Sequence, residues 1–340
     1  MKIVIDKNIP FIQAPLENLG ETIYLKGDAI TSEVMHDADI LLTRTRTKCD
    51  KALLDGSRCS FIGTATIGTD HIDLAYCHDN GITVANAPGC NAPGVAQYVM
   101  AAVKAVMTTT RPFSDLTIGV IGAGNVGSLV KQWGESLGMR VLVNDPPKYG
   151  SSPLNTPLDV IANQCDVITV HTPLTRDGEH PTYHLINQEF LSKVTRRPLL
   201  INSARGGVID TVAVKRALDN GTLSAVAIDC WEGEPEIDSE LLDMAVIATP
   251  HIAGYSYEGK VRATKMVLDA LTAHLSGKGI APAPLDIPLN PVPSGITPAM
   301  IGYDIIADSR SLKEASHTPT LADTFESLRN NYLFRHEPGQ

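Results

Sequence analysis

The sequence predicts an α/β protein of two doubly wound parallel-sheet domains followed by a small C-terminal segment. Three observations carry that expectation. Short apolar runs alternate with helix-compatible stretches in two separate sets, a glycine-rich turn sits inside the second set, and the composition changes after Leu275. The 340 residues suffice for two cores and an appendage.

In chain order, the first set of runs is Lys2–Asp6, Asp39–Arg44, Phe61–Thr66 and Ile82–Asn86. The second is Leu116–Ile121, Arg140–Asn144, Asp166–Val170, Leu199–Asn202, Ala225–Asp229 and Ala245–Thr249. Apolar runs of this length, bounded by Gly, Pro, Asn or Asp, suit strands buried on both faces. Such strands alternating with helices imply parallel sheets covered by crossover helices. Pro93–Met107, rich in Ala, Val and Met, reads as a long helix between the sets. The expected division is 1–91 with 255–280, then 92–254, then 281–340. Six of the 22 prolines fall between residues 281 and 298, so that stretch reads as an extended connection. Beyond it, Ile301–Ile306 looks strand-like and Thr320–Tyr332 helical. So short a tail cannot hold a core alone and is expected to pack on a partner subunit or on the main body.

Composition removes several classes of function. Lys and Arg number 28 against 38 Asp and Glu, a net charge of −10, which argues against nucleic acid or an anionic membrane as a partner. No run approaches the roughly 20 apolar residues of a membrane span. The N-terminus enters strand-like sequence directly, without a signal peptide's apolar core. Six cysteines are scattered without a CxxC pair and read as buried, reduced thiols, so a cytoplasmic enzyme is expected. His180 and His184 stand four apart, but Pro181 disfavours a helix between them and no third ligand suggests itself. No metal is expected.

The chemistry starts at residues 116–130, where an apolar strand runs through Gly122-Ala-Gly124-Asn125-Val126-Gly127 into a helical pattern. In this G-x-G-x-x-G turn the first glycine allows the bend and the second lets backbone approach a pyrophosphate. The third permits close helix–strand packing, and the helix N-terminus offers N–H donors. Asp145 lies 23 residues after Gly122, at the end of the next strand, placed to accept from ribose hydroxyls and to repel a 2′-phosphate. NAD is therefore expected over NADP.

Later strands of the same set end in Thr172, in Ser203-Ala204-Arg205-Gly-Gly, in Asp229 with Glu234 close behind, and in Pro250-His251-Ile-Ala-Gly254. Singly, Arg205 reads as a surface charge, Glu234 as a loop acid and His251 as a capping residue. At strand ends beside a nucleotide turn they read together as a site. A second cluster, Thr43-Arg44-Thr45-Arg46-Thr47-Lys48, follows a strand of the first set. If extension continues there, the threonines oppose the cations, and the run is a candidate for binding a phosphate or carboxylate.

The GAGNVG turn, the SARGG loop, the D-x-W-x-x-E-P segment and the PHIAG loop resemble the NAD-dependent D-2-hydroxyacid dehydrogenases, in order and spacing. The resemblance implies a flavodoxin-like substrate domain and a Rossmann NAD domain. It also implies His251 as acid/base, Glu234 as its carboxylate partner and Arg205 as the substrate anchor. It assigns Gly122, Gly124, Asn125, Val126, Gly127, Asp145, Thr172, Ser203, Ala204, Arg205, Asp229 and Gly254 to the cofactor. Three features are similar to family members that act on a small phosphorylated 2-hydroxy acid. They are the Gly63–Asp73 segment with Thr66, Tyr255 after the histidine loop, and a tail resembling a homodimerisation segment. Thr45 stands where that pattern has Ser, keeping the hydroxyl. Thr45, Thr66, Tyr255 and Arg44 are thus the candidate substrate residues. The same scaffold carries phosphoglycerate dehydrogenases, hydroxypyruvate reductases and NAD-sensing corepressors, all open at this point.

Overall fold

The computed structural model describes residues 1–339 and divides into two compact units, Met1–Asn91 with Ser256–Asn290, and Ala92–Tyr255 with Pro291–Gln340. The expected tail is thereby divided: residues 281–290 go with the first unit and the rest with the second.

The first unit holds five parallel strands, β1 (Lys2–Asp6), β2 (Glu21–Leu25), β3 (Ile40–Thr43), β4 (Phe61–Thr64) and β5 (Thr83–Ala85), in the order β2-β1-β3-β4-β5. β2 is absent from the apolar runs named above. It is an edge strand, exposed or half-buried throughout, so its Glu, Thr and Tyr carry no buried-strand signal. Apolar layers cover both faces of the sheet. One is completed by the Tyr257–Leu275 helix, which returns Val267, Leu268 and Leu271 to pack with Ile3, Ile5 and Phe61. The other gathers Val4, Leu41, Ile62, Cys49 and Cys77.

The second unit holds β6 (Thr117–Ile121), β7 (Arg140–Asn144), β8 (Val167–Val170), β9 (Leu199–Asn202), β10 (Ala225–Ile228) and β11 (Ile247–Ala248). All are parallel, in the order β11-β10-β9-β8-β6-β7, so the winding reverses between β6 and β8. The four inner strands are buried almost throughout, as their unbroken apolar runs require. The Ala92–Val106 helix is buried along nearly its whole length against one face.

The tail belongs to this unit's fold. Ile301–Ile306 forms no strand. Asp304 caps a helix, Ile305–Lys313, by accepting from the Ala307 N–H at 3.1 Å, so helical hydrogen bonding begins inside the apolar run. This helix covers the edge of the sheet, where Ser309 Oγ accepts from the β11 Ala248 N–H at 2.9 Å. Leu321–Asn330 is the expected second helix and buries Phe325. Ile301 and Ile305 are buried within the chain itself and need no partner to cover them. Ile306, Leu333 and Phe334 remain exposed.

All six cysteines are free and buried. Among the described residues, no helix is long and apolar enough to cross a membrane.

Arg335 closes the tail onto the unit. Its guanidinium donates to the carbonyls of Gly94 (2.9 Å), Ile252 (3.1 Å), Tyr255 (3.2 Å) and Ala253, and to Gln97 Oε1 (3.1 Å), while its plane covers the Tyr303 ring. Arg335→Ala leaves these acceptors without their donor and is expected to cost about 2–4 kcal/mol. Chemical denaturation should show the loss, and hydrogen exchange should show the residue 291–339 amides opening first. Unchanged stability would mean that apolar packing alone holds the tail.

Candidate active site

The site is built at the carboxyl ends of the second unit's strands, where an open parallel sheet leaves backbone groups and loops free to meet a ligand. At the end of β6, Gly122 takes φ +92°, and a Cβ there would meet His171 backbone at 2.8 Å, so the turn across the β6–β8 switch point demands glycine. A Cβ on Gly127 would lie 1.8 Å from the Gly122 carbonyl oxygen, which is the close helix–strand approach expected of the third glycine. Gly124, by contrast, faces open space and caps the Asn125–Ser136 helix. Backbone there can come against a phosphate, with the helix N-terminus behind it.

Asp145 ends β7 and accepts from the Ala123 N–H at 2.7 Å and the Lys148 N–H at 3.0 Å, tying the second strand to the glycine turn. Across the switch point, Thr172 Oγ1 and Ser203 Oγ are buried without a hydrogen-bond partner. Two orphaned hydroxyls at adjacent strand ends are what a polar ligand would satisfy. Together with the open face at Gly124, they fit a dinucleotide. His171 is held neutral, since burial lowers its pKa to about 3.

The three loops carrying Arg205, Glu234 and His251 are bound to one another. Asn202 donates through Nδ2 to the Arg205 and Cys230 carbonyls at 3.1 and 3.0 Å, while its Oδ1 accepts from the Ala204 N–H at 3.2 Å. A Cβ on Gly206 would overlap the Trp231 carbonyl at 1.8 Å, so the Arg205 loop meets the Glu234 loop backbone to backbone. Asp229 is buried, and both its oxygens are engaged within the chain. Oδ1 accepts from Thr249 Oγ1 (2.6 Å) and the Ile252 N–H (2.7 Å), and Oδ2 from the Ala253 N–H (3.0 Å). It therefore organises the histidine loop directly. His251 itself adopts φ +56°, a strained conformation that this anchoring maintains.

His251 Nδ1 lies 2.8 Å from Glu234 Oε2, and Glu234 Oε1 accepts from the Trp231 N–H at 2.8 Å. Burial disfavours the imidazolium, but the adjoining Cys230 sulfur and Glu234 carboxylate outweigh it, and His251 sits well above the ordinary histidine range. Burial likewise opposes ionisation of Glu234, yet His251, the Trp231 N–H and Arg329 hold it below the usual carboxylate range. Such a pair can take and return a proton at one ring nitrogen while the other is held. Arg205 stands half-buried on the neighbouring loop, with one guanidinium nitrogen donating to the Ala204 carbonyl at 2.9 Å.

The family model for the NAD binding domain of D-isomer specific 2-hydroxyacid dehydrogenases matches residues 94–253. An erythronate-4-phosphate dehydrogenase of Bacteroides thetaiotaomicron is 45% identical over 99% of this chain and 97% of its own length, and one of Bacteroides fragilis is 44% identical over 100% and 98%. The chain belongs to the D-isomer specific 2-hydroxyacid dehydrogenase family. Among solved structures, a D-lactate dehydrogenase from Aquifex aeolicus complexed with NAD and lactic acid superposes with a TM-score of 0.66 at 27% identity, covering 82% of this chain and 96% of that one. The protein is thus an NAD-dependent oxidoreductase, and its cofactor domain is the second unit described above.

The remaining candidates divide between the units. In the first, strand geometry ends at Thr43, so the threonine and cation faces do not alternate as expected. Thr43 and Thr47 are buried while Thr45, Arg46 and Lys48 are exposed. Arg44 donates through Nε to the buried Asp6 at 3.0 Å, which offsets its charge. Thr66 Oγ1 lies 2.7 Å from Thr64 Oγ1, which in turn lies 3.2 Å from His71 Nε2. In the second unit, Tyr255 stands edge-on to Tyr332 and Phe334, and Arg329 hydrogen-bonds it. His184 pairs with Glu232 at 2.7 Å. Sequence reasoning missed Arg329 and Arg335; the only signal was an Arg- and aromatic-rich run at 329–335.

Glu234 stabilises the protonated form of His251, so removing its charge must lower the histidine's pKa. With His251 as the base, the role proposed below, oxidation needs the neutral ring, and its rate should rise with pH through that pKa. Glu234→Gln is therefore expected to move the inflection of kcat/KM to lower pH and to reduce kcat; an unmoved inflection would detach Glu234 from the titration.

Proposed function

We propose that this enzyme oxidises 4-phospho-D-erythronate at C2 to 3-hydroxy-2-oxo-4-phosphooxybutanoate, a step of pyridoxal 5′-phosphate biosynthesis. The observation that carries the reading is the His251–Glu234 pair, at the carboxyl end of the same sheet as the glycine turn, in a chain similar from end to end to erythronate-4-phosphate dehydrogenases. His251 takes the C2 hydroxyl proton through the ring nitrogen opposite Nδ1, while Glu234 stabilises the imidazolium that forms. Arg205 holds the substrate carboxylate, a planar anion that suits its fork. NAD, when bound, accepts the hydride from C2. Gly122, Gly124, Asn125, Val126 and Gly127 line its pyrophosphate, Asp145 its ribose hydroxyls, and Thr172, Ser203, Ala204 and Gly254 the remainder. Asp229 serves the cofactor indirectly, through the loop it anchors. Thr45, Thr66 and Tyr255 supply hydroxyls to the substrate, and Arg44 adds charge partly offset by Asp6.

The reading extends to a homodimer. Leu333, 89% exposed, stands beside the exposed Phe334, with Ile306 exposed on the helix before, and a self-complementary twofold contact is the commonest way for such a surface to be covered. Six free, buried thiols agree with a reducing, cytoplasmic setting.

Following NADH absorbance with 4-phosphoerythronate, 3-phosphoglycerate and glycerate side by side tests the substrate. The first should give the highest kcat/KM, and a preference for 3-phosphoglycerate would transfer the assignment to the runner-up. His251→Gln should cut turnover about 10²–10⁴-fold with little change in NAD affinity. For the dimer, Leu333→Glu combined with Phe334→Glu should yield a folded monomer in analytical ultracentrifugation. A dimer that survives both changes places the contact elsewhere.

A further inference from the structure

One cysteine is unlike the other five. Cys230 Sγ, a Glu234 carboxylate oxygen and a His251 ring nitrogen lie within 4.8 Å of one another. The thiol also contacts the imidazole directly. Each of the three is held by short, tightly bonded chain: Cys230 between Asp229 and Trp231, Glu234 by the Trp231 N–H, and His251 by its own N–H donating to the Asp229 carbonyl at 2.9 Å. Glu234 Oε1 is taken by that N–H, which leaves Oε2 turned toward the ring.

We propose that Cys230, Glu234 and His251 form a site for a thiophilic divalent cation of the Zn²⁺ class, and that its occupancy stops the dehydrogenase. Sulfur, imidazole nitrogen and carboxylate oxygen are zinc's donor set, and the sulfur selects against Mg²⁺ and Ca²⁺. A tetrahedral ion with ordinary zinc bond lengths holds its ligands about 3.4–3.6 Å apart. The present 2.8 Å between Nδ1 and Oε2 has to open by about 0.6 Å to admit it, with water in the fourth position. Thiolate, neutral imidazole and carboxylate give a cluster with Zn²⁺ of zero net charge, which suits a largely buried site better than an uncompensated ion. The side chains of His251 and Glu234 are 29% and 19% exposed, which gives the ion a way in. Binding displaces the thiol proton and any proton on Nδ1, and both leave to solvent. With Nδ1 metallated, the ring can no longer become an imidazolium, so it cannot take the substrate proton. Nothing in the linear sequence announces the site, because the ligands stand at 230, 234 and 251, outside the familiar spacings.

Binding and inhibition are tested separately on the full-length, reduced protein. Co²⁺ serves as the spectroscopic probe and should produce a thiolate-to-cobalt charge-transfer band in the near ultraviolet. The band should vanish in Cys230→Ala and persist in Cys49→Ala; Cys230→Ser, which keeps a small polar side chain, is the second variant should alanine impair folding. Absence of the band in the unsubstituted protein, or its persistence in both Cys230 variants, overturns the site. For inhibition, Zn²⁺ should reduce turnover reversibly with EDTA. Its half-inhibiting concentration should rise at least tenfold in the Cys230 variants, each normalised to its own metal-free rate. Equal sensitivity overturns the inhibitory role. The inhibitory half rests on the assignment of His251 as the base, whereas the cobalt spectrum needs no substrate, so a failure of the substrate reading is distinguishable from a failure of the site.

Discussion

A carboxylate removed from water has to find its hydrogen bonds in the chain, and most of the active-site half of this protein is arranged around one such group. Asp229 sits at the end of β10 with its acid function buried, and burial pushes its pKa up despite the donors around it. Its side chain holds Thr249 and the N–H groups of Ile252 and Ala253, while its backbone carbonyl receives the His251 N–H. The five-residue stretch Thr249–Ala253 is thus fixed at both ends, and His251 within it is held in left-handed backbone. The histidine is aimed by the fold and not by its own preference. The same carboxylate reaches the Ala92–Val106 helix through Thr249, whose Oγ1 lies 3.0 Å from the Tyr98 hydroxyl.

Much of this could be read without coordinates, and the reason differs from place to place. The buried strands were legible because parallel sheets covered on both faces write themselves as unbroken apolar runs. The cofactor turn was legible because each glycine has a separate steric cause, two of them close backbone approaches that any side chain would block. Arg205, Glu234 and His251 were legible as strand-end residues, and the structure brings their loops together through Asn202, Gly206 and Asp229. β2 was missed because edge strands need no apolar alternation. Ile301–Ile306 looks strand-like because a buried helix turn and a short strand are alike over six residues, and only the structure shows Asp304 capping a helix there. Arg44 looked like a free cation only because Asp6, its partner, lies 38 positions away.

Asp229 shows how an acid at a strand end can serve the loop behind it. The family resemblance marked it for the cofactor, and both its oxygens accept hydrogen bonds from within the chain. Asp145 behaves similarly, accepting through one oxygen from the Ala123 N–H of the glycine turn and through the other from the Lys148 N–H of the short helix it caps. In each case an acid beside the nucleotide site first shapes the loop that meets the ligand. A cofactor site made largely of main-chain groups needs such fixed points, because backbone donors have no rotamers with which to adjust.

The Ser309 hydrogen bond to β11 has a consequence for the order in which the chain is made. A ribosome releases this protein from residue 1 onward, so the second unit's sheet emerges complete while its outer edge is still uncovered. Residues 305–313, which seal that edge, are translated after all six of its strands, and Arg335 later still. The first unit waits as well, because its Tyr257–Leu275 helix is translated after every strand of both sheets. Neither unit can finish during translation of its own strands, and a nascent chain stalled before residue 300 would expose an unpaired β-edge to its neighbours. The edge strand β11 is therefore protected only once residues 305–313 have been translated and have docked.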